Sequence, residues 1–164
     1  MFPEEFLGLN LSHILAVLAI AASPISELRG AIPVAIIGFQ FPWYYAYLLA
    51  IIGNFLPVPF ILLFADALTR LLSKVDLFKR MLNWLFERTR RRGKIIEKYG
   101  GIGLALFVAV PLPLTGAWTG SLIAVLLGLR FKNAILSIFA GIIIAGIIVT
   151  LATLLGWALV STNV

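Results

Sequence analysis

The 164-residue chain is 62% hydrophobic and only 12% charged, with no cysteine and a net charge of +6; its mean hydropathy is +1.07. A soluble domain carries about a quarter charged residues, so this is the composition of an integral membrane protein, and the lack of cysteine excludes disulfides, thiol nucleophiles and thiolate metal sites. Nucleic-acid binding is not expected either, because the positive charge comes from one segment: residues 66–98 hold ten Lys or Arg against four acids, and the rest of the chain balances at zero.

The N-terminus, "MFPEEF", carries acids and no base before the first apolar run. A cleaved signal peptide needs a positive leading region, so that run is expected to stay in the mature protein. Phe6 to Ala22 is apolar but for Asn10, Ser12 and His13, about the minimum length for a crossing helix. Pro24 then disfavours its continuation.

The next stretch, Ser23 to Pro33, reads "SPISELRGAIP" and holds Glu27 and Arg29, the only formal charges between Phe6 and Ala65. Charge between long apolar runs is costly in a bilayer and marks a functional site by default; a polar loop outside the membrane is the plainer alternative. Gly30 to Ala65 has no charge. Ala31–Gly38 is predicted to be a short half-helix and Phe39–Pro42 a turn. Trp43, Tyr44, Tyr45 and Tyr47 form an aromatic cluster suited to a membrane interface, and Tyr44 to Phe64 makes one crossing. Pro57 and Pro59, near its middle, predict a kink or break.

Residues 66–98 change character. Leu68, Leu71, Leu72, Val75, Phe78, Leu82, Leu85 and Phe86 recur at helical spacing, with Arg70, Lys74, Lys79 and Arg80 among them. This predicts a basic amphipathic helix on the membrane surface, followed by a loop containing Arg90, Arg91 and Arg92. Such a segment marks the cytoplasmic side; the same cluster can bind anionic lipid head groups, though a topology determinant alone accounts for it. Tyr99 to Leu129 is uncharged, with "VPLPLTGAWTG" in its middle; Arg130 and Lys132 follow, then an uncharged run with a long helix expected over Ala134–Val160. Gly141, Ala145 and Gly146 suit close helix packing there.

Charge parity and length together set the expected architecture. Arg130 and Lys132 belong on the side of the basic segment, which requires an even number of crossings from Tyr99 to Arg130. Two crossings need about 40 residues, and only 31 are available. A re-entrant hairpin turning at Pro111 and Pro113 fits, provided its tip is packed against protein or lines a wet cavity. Residues 6–38 can be read as a matching hairpin that turns at Pro24 and enters from outside. The expected fold is therefore an all-α membrane protein built as an inverted repeat, each half a re-entrant hairpin plus a transmembrane helix. The first repeat is residues 6–65, the second 99–160, with the basic cytoplasmic segment between them, both termini outside, and the whole a single domain in the plasma membrane. Leu28-Arg29-Gly30-Ala31 aligns with Leu114-Thr115-Gly116-Ala117 at an offset of 86, in support of the repeat. With two spans and two hairpins, one copy buries little backbone at midplane depth, so a homodimer or higher homo-oligomer is expected.

In inverted-repeat transporters the site lies near the midplane at broken helices. The candidate substrate- or ion-binding residues are Glu27, Arg29, Ser26, Gly30 and Asn54 from the first half, with Thr115, Gly116, Trp118 and Thr119 from the second; Pro24, Pro33, Pro111 and Pro113 shape the turns. Glu27 can load and release a proton, or it can form a structural ion pair with Arg29. Arg29 suits a phosphate oxygen, and half-helix starts near Gly30 and Thr115 offer N–H groups to an anion. Trp118 can stack on a ligand or simply pack; Asn54 can line the cavity or satisfy backbone freed by Pro57. His13, the only histidine, is expected to pack rather than relay protons. No metal cluster, cofactor motif or nucleophile–base pair is visible, and an enzyme would need more titratable groups than these.

"SELRGAIP" and "PLPLTGAWTG", joined by the basic middle and "EKYGGIGLALFVAV", resemble the small multidrug export protein family. The layout is also similar to the wider DedA superfamily, which implies two opposed re-entrant hairpins and translocation of lipids or polyprenyl phosphates, with proton coupling. The arginines that superfamily carries in its second hairpin are absent from Val110–Thr115. Three functions follow as expectations: first, translocation of an anionic lipid or lipid-linked phosphate, with proton or sodium coupling and membrane lipids as partners; second, proton-coupled export of small organic cations; third, a membrane scaffold without transport.

Overall fold

The computed structural model describes residues 5–64, 93–111 and 115–161, and among them every regular element is helical. The amphipathic helix expected over the basic segment, with Arg70, Lys74, Lys79, Arg80, Arg90, Arg91 and Arg92, lies outside the described residues, as does Pro113. Two helical stretches are long and apolar enough to cross a membrane, Trp43–Leu63 and Phe131–Ser161. Contacts divide the chain into two compact units: Met1–Leu56 with Ile142–Val164, and Pro57–Gly141.

In the first unit, helix α1 (Glu5–Ala22) ends where Pro24 cannot donate. The chain turns through Ser23 to Ser26. The Ser23 carbonyl accepts the Glu27 N–H at 3.1 Å and its hydroxyl accepts the Ile25 N–H at 3.4 Å. Helix α2 (Glu27–Pro33) follows and packs back against α1. It starts four residues earlier than the sequence suggests and contains Pro33, whose missing N–H denies the Arg29 carbonyl its i+4 donor. The chain then widens into a π-helical turn, Val34–Gly38, closed by the Phe39 N–H on the Val34 carbonyl at 2.9 Å. Widened turns of this kind recur beside prolines and at functional sites.

Helix α3 (Trp43–Phe55) packs on both α1 and α2. The three meet through small residues: Ala21, Ala31, Ala35, Ala46 and Ala50 are fully buried, with Val17 and Ile32 between them. In lipid, where apolar surface alone drives no association, such residues let helix backbones approach and gain dispersion contacts. Gly53 makes the closest approach, since a side-chain carbon there would lie 2.7 Å from Ala21 Cβ and 2.8 Å from the Leu18 carbonyl oxygen. His13 stacks on Phe39 with ring centroids 4.2 Å apart, within a cluster that continues to Phe41 and Tyr45. The packed role expected for it therefore holds. α3 is interrupted at Leu56, where Pro57 opens helix α4 (Pro57–Leu63), the break that the two prolines predict.

In the second unit, α4 packs against helix α6 (Ala117–Leu126), which also packs against helix α5 (Gly93–Ala109). Val108 of α5 is the pivot. It touches Gly120 of α6, and a side-chain carbon on Gly141 would lie 2.6 Å from its Cβ. Gly141 belongs to α7 (Phe131–Ser161), the long helix expected over Ala134–Val160. α6 ends in a glycine cap: Gly128 takes φ 64, its N–H bonds the Val125 carbonyl, and the Leu129 N–H bonds the Ala124 carbonyl. That is the pattern in which a left-handed glycine satisfies the last carbonyls of a helix.

Each half of the chain thus runs in the same order: a long helix, a proline-bearing turn, a short helix, and a span-length helix. Their outer residues are apolar and exposed, among them Leu11, Leu48, Ile52, Leu151 and Leu155, as a lipid-facing surface requires.

Candidate functional site

The first unit brings together most of the residues that the sequence singles out. Glu27 is 3% exposed, although it opens a helix next to an exposed turn containing Pro24 and Ile25. Its backbone lies at φ 48, a left-handed conformation that non-glycine residues avoid because Cβ crowds the following carbonyl. Strain of this kind costs on the order of 1–3 kcal/mol and persists only where surrounding packing enforces it. Here that packing is the buried face of α2, with Leu28, Ala31 and Ile32 seated against α1 and α3. The left-handed residue turns the chain from Ser26 into α2 and carries the carboxylate inward.

Arg29 Nη2 stands 3.6 Å from Glu27 Oε2. The pair is uneven: the arginine side chain is 22% exposed, the glutamate 4%. A carboxylate withdrawn from water carries a desolvation cost of several kcal/mol, which a cation at this distance partly offsets. Gly30 sits one turn on, where an added carbon would come 2.9 Å from Ser26 Cβ and 3.5 Å from Ile20 Cγ2. So Ser26 and Gly30 form the tight inner edge of the turn.

Asn54 on α3 is 1% exposed, and its Oδ1 has no hydrogen-bond partner. Its neighbour Gly53 touches Leu18 and Ala21, while Gly30 faces Ile20. The last turn of α1 therefore has the Asn54 region of α3 on one side and the Glu27–Gly30 region of α2 on another.

The second-unit candidates form their own group. The Thr115 hydroxyl donates to the Val110 carbonyl at 2.6 Å, closing the loop between α5 and α6 beside Pro111. Gly116 is buried, whereas Trp118 and Thr119 are half-buried on the first turn of α6. One turn further, buried Ser121 donates to the Ala117 carbonyl at 2.6 Å.

A family profile described as "Putative small multi-drug export protein" matches residues 27–148, from Glu27 through α2 to α6 and into α7. The chain belongs to the small multi-drug export family. No curated protein and no solved structure matches it.

The first unit also holds a feature beyond the residues singled out from the sequence. A cleft of about 290 Å³ in the first unit is lined by Trp43 and Tyr47 of α3 and by Ile147, Thr150, Leu151 and Leu154 of α7. Its wall residue Tyr47 is held against α7: an added carbon on Gly146 would lie 2.8 Å from the Tyr47 ring, and the Tyr47 hydroxyl donates to the Ile143 carbonyl at 3.4 Å. Thr150 Oγ1 is buried without a partner, while Thr153 on the same helix donates to the Val149 carbonyl. The aromatic pair is visible in the sequence but reads there as interface anchoring; Thr150 carries no local signal in a helix whose one charge, Lys132, lies in its first turn. Among the described residues no group of three or more His, Asp or Glu is placed to hold a metal ion.

Proposed function

We propose that this protein exports small hydrophobic cations across the membrane in exchange for an inward-moving cation, with Glu27 as the shared binding carboxylate. The observation that carries this reading is Glu27 itself: a carboxylate 3% exposed, in a strained backbone, at the start of the family-matched region. An intramembrane carboxylate is a default transport site because it binds a cation or a proton far more strongly than water-exposed groups do. Exchange requires one site that cannot hold both at once, and a single buried carboxylate supplies it. Arg29 at 3.6 Å stabilises the empty, charged state between the two loads.

The aromatic-walled cleft of Trp43 and Tyr47 supports a hydrophobic, π-rich cargo. The family description favours this reading over lipid translocation, which the sequence alone ranks first. The partly exposed Arg29 keeps a lipid phosphate as the second reading. The repeated order of long helix, turn, short helix and span supports two re-entrant hairpins that enter from opposite faces. In that topology the basic segment is cytoplasmic, and two copies complete the protein-lined interior.

The test is reconstitution into liposomes, following a fluorescent organic cation and a labelled phospholipid side by side under imposed proton or sodium gradients. Gradient-driven cation movement abolished by Glu27→Gln is the expected result. Lipid movement without cation movement replaces this reading with the second, and movement of neither in folded protein leaves a scaffold.

A further inference from the structure

We propose that Asn54 supplies an oxygen ligand to the inward-moving cation that competes for Glu27, and that this ion is sodium. The inference rests on the export reading for its purpose, but its structural basis is separate. Asn54 Oδ1 is buried in an apolar helix face and has no donor. A buried acceptor left without a partner keeps its full desolvation penalty, and such groups in native structures commonly await water or an ion. Two features make a cation the fitting partner. First, Pro57 has no N–H for the Gly53 carbonyl, its usual i+4 acceptor, so a backbone oxygen and the Asn54 side-chain oxygen stand at adjacent positions without their ordinary donors. Oxygen-only ligand sets suit hard cations, and carbonyls at helix interruptions hold coupling ions in transporters.

Second, the charge available is small. Among the described residues the carboxylate beside the same last turn of α1 is Glu27, and Arg29 faces it at 3.6 Å. With Glu27 already paired to Arg29, a divalent ion would leave two positive charges uncompensated in a low-dielectric site and a monovalent ion only one, so a monovalent ion is the less costly guest. A proton needs only Glu27. The amide of Asn54 does not titrate, so its orphaned oxygen has no part in a proton-only cycle. A protonated primary amine on the cargo presents the same charge and size class as sodium, and the experiment separates the two.

The thermal midpoint of the purified protein is measured in choline chloride, sodium chloride and methylammonium chloride at equal ionic strength, with wild type and Asn54→Leu. Sodium at about ten times its dissociation constant raises the wild-type midpoint by about 3–6 °C over choline. Asn54→Leu removes the buried acceptor and folds at least as well in choline, but loses the sodium shift. Equal midpoints in all three salts overturn the proposal, as does a sodium shift that survives Asn54→Leu. A shift with methylammonium alone overturns the assignment to sodium and gives the site to the cargo amine. No cargo or gradient enters this measurement, so it can fail while Glu27-dependent export stands, and the reverse.

Discussion

Arg29 Nη2 lies 3.6 Å from Glu27 Oε2, and the glutamate is the more deeply buried of the two. Removing the arginine therefore strands a buried charge, whereas neutralising the glutamate leaves an arginine that can still reach solvent. Arg29→Ala is expected to cost about 1–3 kcal/mol, and Glu27→Gln less. The double variant should recover at least half of the Arg29→Ala loss, since the stranded charge is gone. Thermal midpoints in detergent measure this, at about 2–4 °C per kcal/mol for a chain of this size. Strictly additive losses would mean that the pair does not interact.

The backbone at Glu27 makes a separate prediction. At φ 48, any Cβ is strained and glycine is not. Glu27→Ala and Glu27→Gly both delete the carboxylate, so the difference between them isolates the backbone. Glu27→Gly should be the more stable by about 1 kcal/mol, or about 2–4 °C in midpoint. In an ordinary helical conformation the alanine variant would win by a similar margin.

Features set by local chemistry are legible in the sequence: the breaks at Pro24 and Pro57 follow from a missing N–H, and the two spans from uncharged length. Glu27 at positive φ is not, because glutamate gives no hint of a conformation imposed by the packing of α2 against two other helices. Nor is the start of α2 at Glu27, since Pro33 suits the first turn of the half-helix expected over Ala31–Gly38 but lies at the last position of the helix that forms. Asn54 stands out by residue type, but its burial depends on which face of α3 meets α1. In a stretch that is apolar all round, periodicity does not report the facing side. The Thr150 cleft was hidden for the same reason in α7.

Two glycines should respond in opposite senses to the same substitution. A carbon on Gly53 would meet Leu18 backbone and Ala21 Cβ within 2.8 Å, and neither is a flexible side-chain end. Gly53→Ala should therefore destabilise by about 1–3 kcal/mol. Gly103 has nothing within 4 Å and lies inside α5, so Gly103→Ala should stabilise by about 0.5–1 kcal/mol through lower chain entropy. Midpoint shifts of opposite sign check this; equal signs would put Gly53 outside the α1–α3 contact.

The cleft carries a prediction of its own. A carbon on Gly146 would lie 2.8 Å from the Tyr47 ring, so Gly146→Ala pushes the ring toward the space lined by Trp43 and Leu151. Because the obstructing atoms belong to a side chain, the stability cost should stay near or below about 1 kcal/mol. Export of bulky aromatic cations should fall several-fold while small cations are spared. An equal effect on both cargo sizes would remove the cleft from the transport route.

The opposed hairpins proposed above assign each part of the chain to a side of the membrane, and the lack of cysteine makes that assignment directly measurable. The segment of residues 66–98 holds ten bases, and Arg130 and Lys132 follow the uncharged run Tyr99–Leu129; basic residues near span ends favour the cytoplasmic side. In the proposed topology Trp43–Leu63 and Phe131–Ser161, the two stretches long and apolar enough to span, each cross once, and both ends of the chain lie outside. Single cysteines at Glu4 and Val164 should therefore react with an impermeant thiol reagent on intact cells, and one at Arg91 only after permeabilisation. Labelling of the two ends from opposite sides would require an odd number of crossings between them and rule out paired re-entrant hairpins.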